Sequence, residues 1–540
     1  MPPPTPQNFV FANVTQDLIL ETLAKLKPKN SLGGDNISTK LLKYIISPIA
    51  PTLTHLFNLS FKTGYIPDNY KCARVIPIYK DGDRDKFNNY RPISILPAFS
   101  KLLEKIATRQ MFKYLNKYNI FYDHQYGFRP RHSTNYPILQ FLDKIHTALN
   151  KPMSEFTLSI FLDLKKAFDT CDHSILLSKL NNYGFRGISN EWFRNYLINR
   201  TQFVTLEEES SSMRTIKCGV PQGSVIGPLL FLLYINDLPR SNNFFTSLFA
   251  DDTGFLKSSP SLNTLFNEAN EELEKASSWF QSNKLSLNVS KTKYIVFRNN
   301  KMPLDENICK LRIGNEELVR IGNNCQNKYY KFVGIRFDEF LNWEHQTNHV
   351  ANKIASATFA INQTKNILPQ NTRILIYNSL VRSHLDYGNI SWGLKYNKNI
   401  TRITKLQKKA VRAVGKKGAH SHCDPLFAHL EILKFNDLVN LNVCNFMYKF
   451  NNSMHPVSFK YMFEPLSLNN RTICYKLKKN KSTSLDWFPS FTFPKIWNSI
   501  PREVKCAKSL NIFKKILQNK FLSKYKSFRC SNRSCYGCKQ

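Results

Sequence analysis

At 540 residues the chain is too long for one compact core, so three or four domains or subdomains are expected. Its 42% hydrophobic and 13% aromatic content excludes a wholly disordered polypeptide, and a formal charge of +37 calls for a polyanionic partner, nucleic acid first, rather than a merely solvated surface. The opening Met1-Pro-Pro-Pro4 is no secretory signal and no apolar run reaches the ~20 residues that span a bilayer, so an intracellular protein (nucleus and cytoplasm), no membrane partner, and 12 cysteines held as thiols are expected.

In chain order, Thr15 is placed to cap a helix whose inward face is Leu18, Ile19, Thr22, Leu23 and Leu26. Ser31 to Asn36 reads as a turn, and helical spacing returns from Lys40 to about Lys62, where Gly64-Tyr-Ile-Pro67 stops it. Arg74 to Tyr79 predicts a strand leading into the polar turn Lys80-Asp-Gly-Asp83, and a further helix is expected from Ser100 to about Tyr118. Between Phe156 and Val333 short apolar strands, Thr157–Leu162, Phe245–Ala250 and Tyr294–Phe297 among them, alternate with amphipathic helices such as Leu262–Asn283. That is an α/β plan, with helices packed on a sheet. The longest apolar stretch, Val225 to Ile235, is short and contains Gly227 and Pro228. From Asn342 onward the pattern is helical, basic and aromatic; after Asn470, Asp486 and Glu503 are the only acids against 17 Lys and Arg.

Two acidic sites end strands: Asp163, and the pair Asp251-Asp252. Nucleotidyl transfer needs carboxylates there, because two metal ions ~4 Å apart must share ligands. Magnesium keeps water and takes oxygen, so two or three Asp plus substrate phosphates suffice. An acidic doublet alone belongs more often to a solvated turn. Here, however, Ala250-Asp-Asp252 follows an apolar strand, Asp163 opens a segment with Phe168 and Asp172-His173, and Gly219 to Pro228 between them carries three glycines for close backbone approach.

These segments, in this order, resemble the reverse transcriptase of non-LTR retrotransposons, the jockey-like group in particular. Val75 to Asp83 and Asn89-Tyr-Arg-Pro-Ile-Ser94 are similar to the fingers, and His124-Gln-Tyr-Gly-Phe-Arg129 to the entry into the palm. Phe161 to His173 is similar to motif A, Gly219 to Pro228 to motif B, Phe249-Ala-Asp-Asp252 to motif C, and Asn288-Val-Ser-Lys-Thr-Lys293 to motif D. Phe332 to Asp338 with Trp343 and His345 is similar to the element before the thumb, and Leu385-Asp-Tyr-Gly388 with Leu406 to Arg412 to the thumb helices. The resemblance implies a right-hand polymerase of the α/β (α+β) class: an N-terminal helical extension (1–55), fingers (56–155), a palm with an antiparallel sheet (156–340), a helical thumb (341–420) and a basic C-terminal region (421–540). It implies RNA-directed DNA synthesis, with RNA template, DNA primer or target and dNTPs as partners, and two Mg²⁺ (or Mn²⁺) as cofactors. Carried over by these matches, Asp163, Asp251 and Asp252 would hold the metals. Phe168 would be the gate against a ribonucleotide 2′-hydroxyl, and Gln222 and Gly223 would shape the nucleotide pocket. Lys80 and Arg91 would hold the triphosphate, and Lys291 would protonate pyrophosphate; for all three a solvated or plain phosphate-contacting side chain is the competing reading. Full-length relatives carry an apurinic-type endonuclease upstream, for which this chain has no room. Cys171 replaces an aliphatic residue and Asn36 a glycine, neither of them a ligand.

Cys530, Cys535 and Cys538 form half of a zinc site, needing Cys506 or another fourth ligand; a basic tail with free thiols is the alternative. His345 with His349, and His420, His422 and Cys423, lack an evident further ligand and read as packing or surface groups. There is no Gly-x-x-x-x-Gly-Lys loop, against a helicase or ATPase. Rival readings are an RNA-dependent RNA polymerase, disfavoured by Phe168 and Ala250-Asp-Asp252, an intron-maturase-like reverse transcriptase, and a catalytically silent nucleic-acid-binding remnant.

Overall fold

The computed structural model describes residues 1–207, 209–395, 398–466 and 474–526. At its centre is a five-stranded sheet in the order Val319–Ile321, Lys293–Phe297, Phe156–Leu162, Asp252–Ser259, Phe245–Phe249. Neighbours run antiparallel except Val319–Ile321, which is parallel to Lys293–Phe297. Phe156–Leu162 is buried along its whole length, which is why it reads as a continuous apolar run. Its residues still choose sides in alternation. Leu158, Ile160 and Leu162 pack with Leu229 to Ile235 and with Leu265, Ala269 and Leu273, whereas Phe161 packs with Phe141 and Phe332 on the opposite face.

The apolar stretch that was too short for a bilayer is the helix Gly227–Ile235, buried at every residue but Pro228. A helix apolar all round belongs inside. Among the described residues no helix is long and apolar enough to cross a membrane.

The first predicted helix is Gln16–Ala24, with Thr15 accepting from the Leu18 N–H at 3.2 Å. The second is Thr39–Thr63, capped by Ser38 and ended by Gly64 at φ 75°. The third runs Ala98–Lys117. A second sheet pairs Cys72–Tyr79 with Tyr90–Ile95 as an antiparallel hairpin and, on its other side, with Thr201–Leu206 in parallel. The turn end of that hairpin carries Lys80 and Arg91.

The described residues from Glu344 onward are mainly helical, as expected from Asn342 onward. Glu344–Thr364, Lys398–Val414, Phe435–Asn451 and Leu510–Lys526 share one apolar core, with Trp343, Trp392 and Trp497 fully buried, continuous with the Phe161 face of the sheet. On Lys398–Val414 the inward residues are Ile400, Ile403, Gln407, Ala410 and Val411, and Arg402, Lys405 and Lys409 face water. The nine described cysteines are free thiols, Cys506 among the exposed ones. Cys530, Cys535 and Cys538 lie outside the described residues.

Candidate active site

The sheet brings the three predicted aspartates to one end. Phe249 pairs with Asp252 across a two-residue turn, Ala250-Asp251, and Leu162 pairs with Thr253, so Asp163 continues opposite Asp252. Ala250 takes φ 58°, a left-handed conformation that a residue with a Cβ adopts at some cost. The Asp251 and Asp252 side chains reach solvent, yet enough protein surrounds them that burial is the largest influence on both, raising each carboxyl. Like charges add to it. Asp163 raises Asp251, and Asp251 and Asp163 together help push Asp252 up to about 6. Arg91 and Lys80 pull Asp251 down, and Lys331 does the same for Asp252. Among the described residues no three His, Cys, Asp or Glu side chains close into a metal cage. The aspartates form an open acidic cluster.

Asp163 is held from behind by the segment after the Leu262–Ser282 helix. The Asn288 amide donates to Asp163 Oδ2 at 2.9 Å, the Asn288 N–H to the Asp163 carbonyl at 2.8 Å, and the Asp163 N–H to Thr292 Oγ1 at 3.3 Å. Lys291 stands on that same turn, exposed.

Phe168 lies half-buried beside the cluster, its ring 4.6 Å from Phe231 in a stacked arrangement and met edge-on by Phe128 at 6.1 Å. Two loops join there. The Val220 N–H donates to the Phe168 carbonyl and the Gly219 N–H to the Cys171 carbonyl, both at 2.8 Å. Gly219 has φ 85°, and a Cβ on it would sit 2.6 Å from the Asp169 carbonyl oxygen. Gln222 donates to Asp169 Oδ1 at 2.9 Å, and its carbonyl accepts from the Ser94 N–H at 2.7 Å. Gly223, at φ 132°, passes so near Ser94 that a Cβ would fall 2.2 Å from its carbonyl oxygen. These glycines are requirements of close approach.

Lys80 and Arg91 share a face of the hairpin, since Ile78 pairs with Arg91 and Lys80 is two residues further on. Both are exposed and within electrostatic range of Asp251. His345 is elsewhere, ring-to-ring with Tyr329 at 4.9 Å, and Cys423 is buried with its thiol toward the Lys408 carbonyl.

Several site residues carry no signal in composition or spacing. Asp169 orients Gln222. Glu104, fully buried and raised by that burial, accepts from the Val225 and Ile226 N–H groups at 2.6 and 3.2 Å, and so fixes the entry to the Gly227–Ile235 helix. Gln125 touches the Ala250 turn itself. Asp169 and Gln125 lie in segments that the family resemblance marks and Glu104 in the helix expected from Ser100, but the task of each depends on a partner far away in sequence.

This layout, with carboxylates at a hairpin and at the end of the adjacent strand and an aromatic beside them, is of the kind that metal-assisted nucleotidyl transfer requires. Residues 78–337 match the family described as "Reverse transcriptase (RNA-dependent DNA polymerase)". The chain is 25% identical over 473 residues to the RNA-directed DNA polymerase from mobile element jockey of Drosophila melanogaster, covering 84% of this chain and 49% of that protein. It is 28% identical over 409 residues to the probable RNA-directed DNA polymerase from transposon BS of the same species, covering 73% and 44%. The jockey protein of Drosophila funebris is 25% identical over 443 residues, covering 79% and 46%. Residues 78–337 thus form a reverse transcriptase domain, and the relatives that the chain is similar to are polymerases of jockey and other non-LTR elements. The chain spans about half the length of these curated relatives. A reverse transcriptase domain brings with it the fingers, palm and thumb plan, and the mixed sheets and abundant helix agree with the α/β class.

Proposed function

We propose that the chain is an RNA-directed DNA polymerase, adding dNTPs to a primer 3′-hydroxyl on an RNA template. The observation that carries this reading is the convergence of Asp163, Asp251 and Asp252, with Asp163 raising Asp251 and both raising Asp252, beside the aromatic Phe168. Crowded carboxylates of this kind are relieved by a cation. An open set of oxygen donors suits Mg²⁺ or Mn²⁺, which retain water and take substrate phosphates as further ligands. Asp163, Asp251 and Asp252 would hold two such ions, which when bound activate the attacking hydroxyl and stabilise the charge on the leaving pyrophosphate.

The remaining tasks fall to the chain's own groups. Lys80 and Arg91 receive the triphosphate, Arg91 through its planar fork. Phe168 occupies the space of a ribose 2′-hydroxyl. Gln222, held by Asp169, and Gly223, held against Ser94, form the floor under the incoming nucleotide. Lys291 delivers a proton to the departing pyrophosphate. In this reading residues 56–155 serve as fingers, 156–340 as palm, 341–420 as thumb, and the basic 421–540 region holds nucleic acid.

Asn288→Ala, which removes the one side-chain donor to the Asp163 carboxylate among the described residues, is expected to lower the extension rate about tenfold, the value of about one charge-assisted hydrogen bond. Single-turnover extension of a primed RNA template measures it.

The decisive experiment is primer extension on an RNA template with Mg²⁺, with dNTPs or rNTPs in parallel, beside an Asp251→Asn/Asp252→Asn control. DNA synthesis that vanishes in the control supports the proposal. RNA synthesis would move the chain to the RNA-making polymerases, and salt-sensitive RNA binding without synthesis would make it a silent remnant.

A further inference from the structure

Gln125 is fully buried, and its side chain points at the turn that carries Asp251. Its Oε1 accepts from the Ala250 N–H at 3.1 Å and from the Gly127 N–H at 2.9 Å. Around it the backbone extends the central sheet by a short parallel pairing with Leu248: the Leu248 N–H donates to the His124 carbonyl at 2.9 Å, and the Tyr126 N–H to the Leu248 carbonyl at 2.8 Å. Gly127 completes the contact. A Cβ there would stand 2.3 Å from the Ala250 nitrogen and 2.9 Å from the Phe249 carbonyl carbon, so the two segments meet backbone to backbone. Arg129 closes the loop from outside, donating to the Tyr122 and Gln125 carbonyls, both at 3.2 Å.

The turn so gripped is a strained one. Ala250 holds φ 58° although it carries a Cβ, and a strained conformation persists only where its surroundings over-determine it. The Ala250 N–H has no ladder partner across the two-residue turn. Gln125 supplies the acceptor. Among the described residues the Gln125 Nε2 has no hydrogen-bond partner although it is buried, so the amide is kept at the expense of an unsatisfied donor. Its carbonyl is the half that has an assigned contact.

We propose that Gln125 is a positioning residue for the acidic cluster: its carbonyl, with the close approach of Gly127, sets the place of the Ala250-Asp251 turn and through it the Asp251 and Asp252 carboxylates. The inference rests on the polymerase reading of that cluster. It touches neither nucleotide nor template itself, so its loss should act on metal binding and on the rate of the chemical step, with little effect on nucleotide affinity.

The test is Gln125→Met, which keeps length and apolar volume and removes the acceptor, with Gly127→Ala as a second variant displacing the same turn. For each, kcat and the dNTP KM are measured on a primed RNA template, the Mg²⁺ midpoint of the rate is titrated, Mn²⁺ binding is followed by calorimetry without substrate, and thermal unfolding fixes an assay temperature well below the transition. Gln125→Met is expected to lower kcat about tenfold or more, to raise the Mg²⁺ midpoint several-fold, to weaken Mn²⁺ binding in parallel, and to leave the dNTP KM within about twofold. Unchanged kcat and metal binding would overturn the inference, as would a loss confined to the dNTP KM. The two levels separate cleanly. Wild-type protein that extends no primer defeats the polymerase reading, and the Mn²⁺ titration then still decides whether Gln125 orders the carboxylates; an active wild type with an indifferent Gln125→Met defeats this inference alone.

Discussion

Asp251→Asn is expected to reduce nucleotide addition by about 10²–10⁴-fold, because losing the metal ligand proposed here would remove several kcal/mol of charge stabilisation and each ~1.4 kcal/mol is tenfold in rate. The substitution is nearly isosteric, and the turn is set by backbone contacts through Leu248, Ala250 and Gln125, so the fold should be kept. Binding of primed template should survive with its salt dependence, since the basic surface is untouched. The same substitution has a second, activity-independent signature. In the metal-free protein Asp252 is raised to about 6, by burial first and then by Asp251 and Asp163. With its pKa above the ordinary carboxylate value, the folded protein binds that proton more tightly than the unfolded chain does. Its ionisation therefore costs stability as pH rises from the unfolded pKa through about 6. Removing the neighbouring charge in Asp251→Asn lowers Asp252, so the metal-free variant should unfold at a higher temperature than the wild type above pH 6 and at a similar one below pH 4. Divalent ions compete with the same proton. Mn²⁺ binding to the wild type should therefore weaken as pH falls through about 6. A metal affinity flat from pH 5 to 8, or a variant less stable than wild type at pH 8, would count against the crowded-carboxylate account. Stability gained where function is lost is the usual sign of a site built under repulsion.

The aspartates were legible in the sequence because both acidic sites end apolar strands, and strands are marked by local pattern. Phe168, Gln222 and Gly223 were legible through their segments, and the structure gathers them by direct hydrogen bonds between the two loops. What local pattern hides is non-local pairing. Thr201–Leu206 joins the sheet of Cys72–Tyr79 in parallel, and nothing in either segment names the other. Asp172, read within the acidic segment, caps the helix His173–Asn182 by accepting from the Ser174 and Ile175 N–H groups at 3.0 Å. Its acidity serves a helix end and an ion pair with Lys284 at 2.6 Å. Gln125 and Glu104 are polar residues in apolar company, and only their distant backbone partners explain them.

On the proposed polymerase reading, Phe168→Ala should admit ribonucleotides as well as dNTPs. The ring is held in place on both sides, stacked on the buried Phe231 at 4.6 Å and met by the edge of Phe128 at 6.1 Å, so it cannot swing clear of an added hydroxyl without moving a packed neighbour. Forcing extra atoms into a filled site costs about 1–3 kcal/mol, equivalent to about five- to two-hundredfold in discrimination. Truncation to Ala opens that space, and the preference for dNTPs over rNTPs, compared as kcat/KM on the same primed RNA, should fall by that factor. Most of the change should be a gain for rNTPs. The dNTP rate should fall only modestly, because Phe168 is half-buried and the Val220–Phe168 link is made by backbone. Phe168→Tyr keeps the ring and should keep the preference. If the wild type already takes rNTPs as readily as dNTPs, or if Phe168→Ala loses both alike, the ring is a packing residue of the Gly227–Ile235 helix and sugar selection lies elsewhere. A selective gain for rNTPs, absent in Phe168→Tyr, would assign the choice of product to this one side chain.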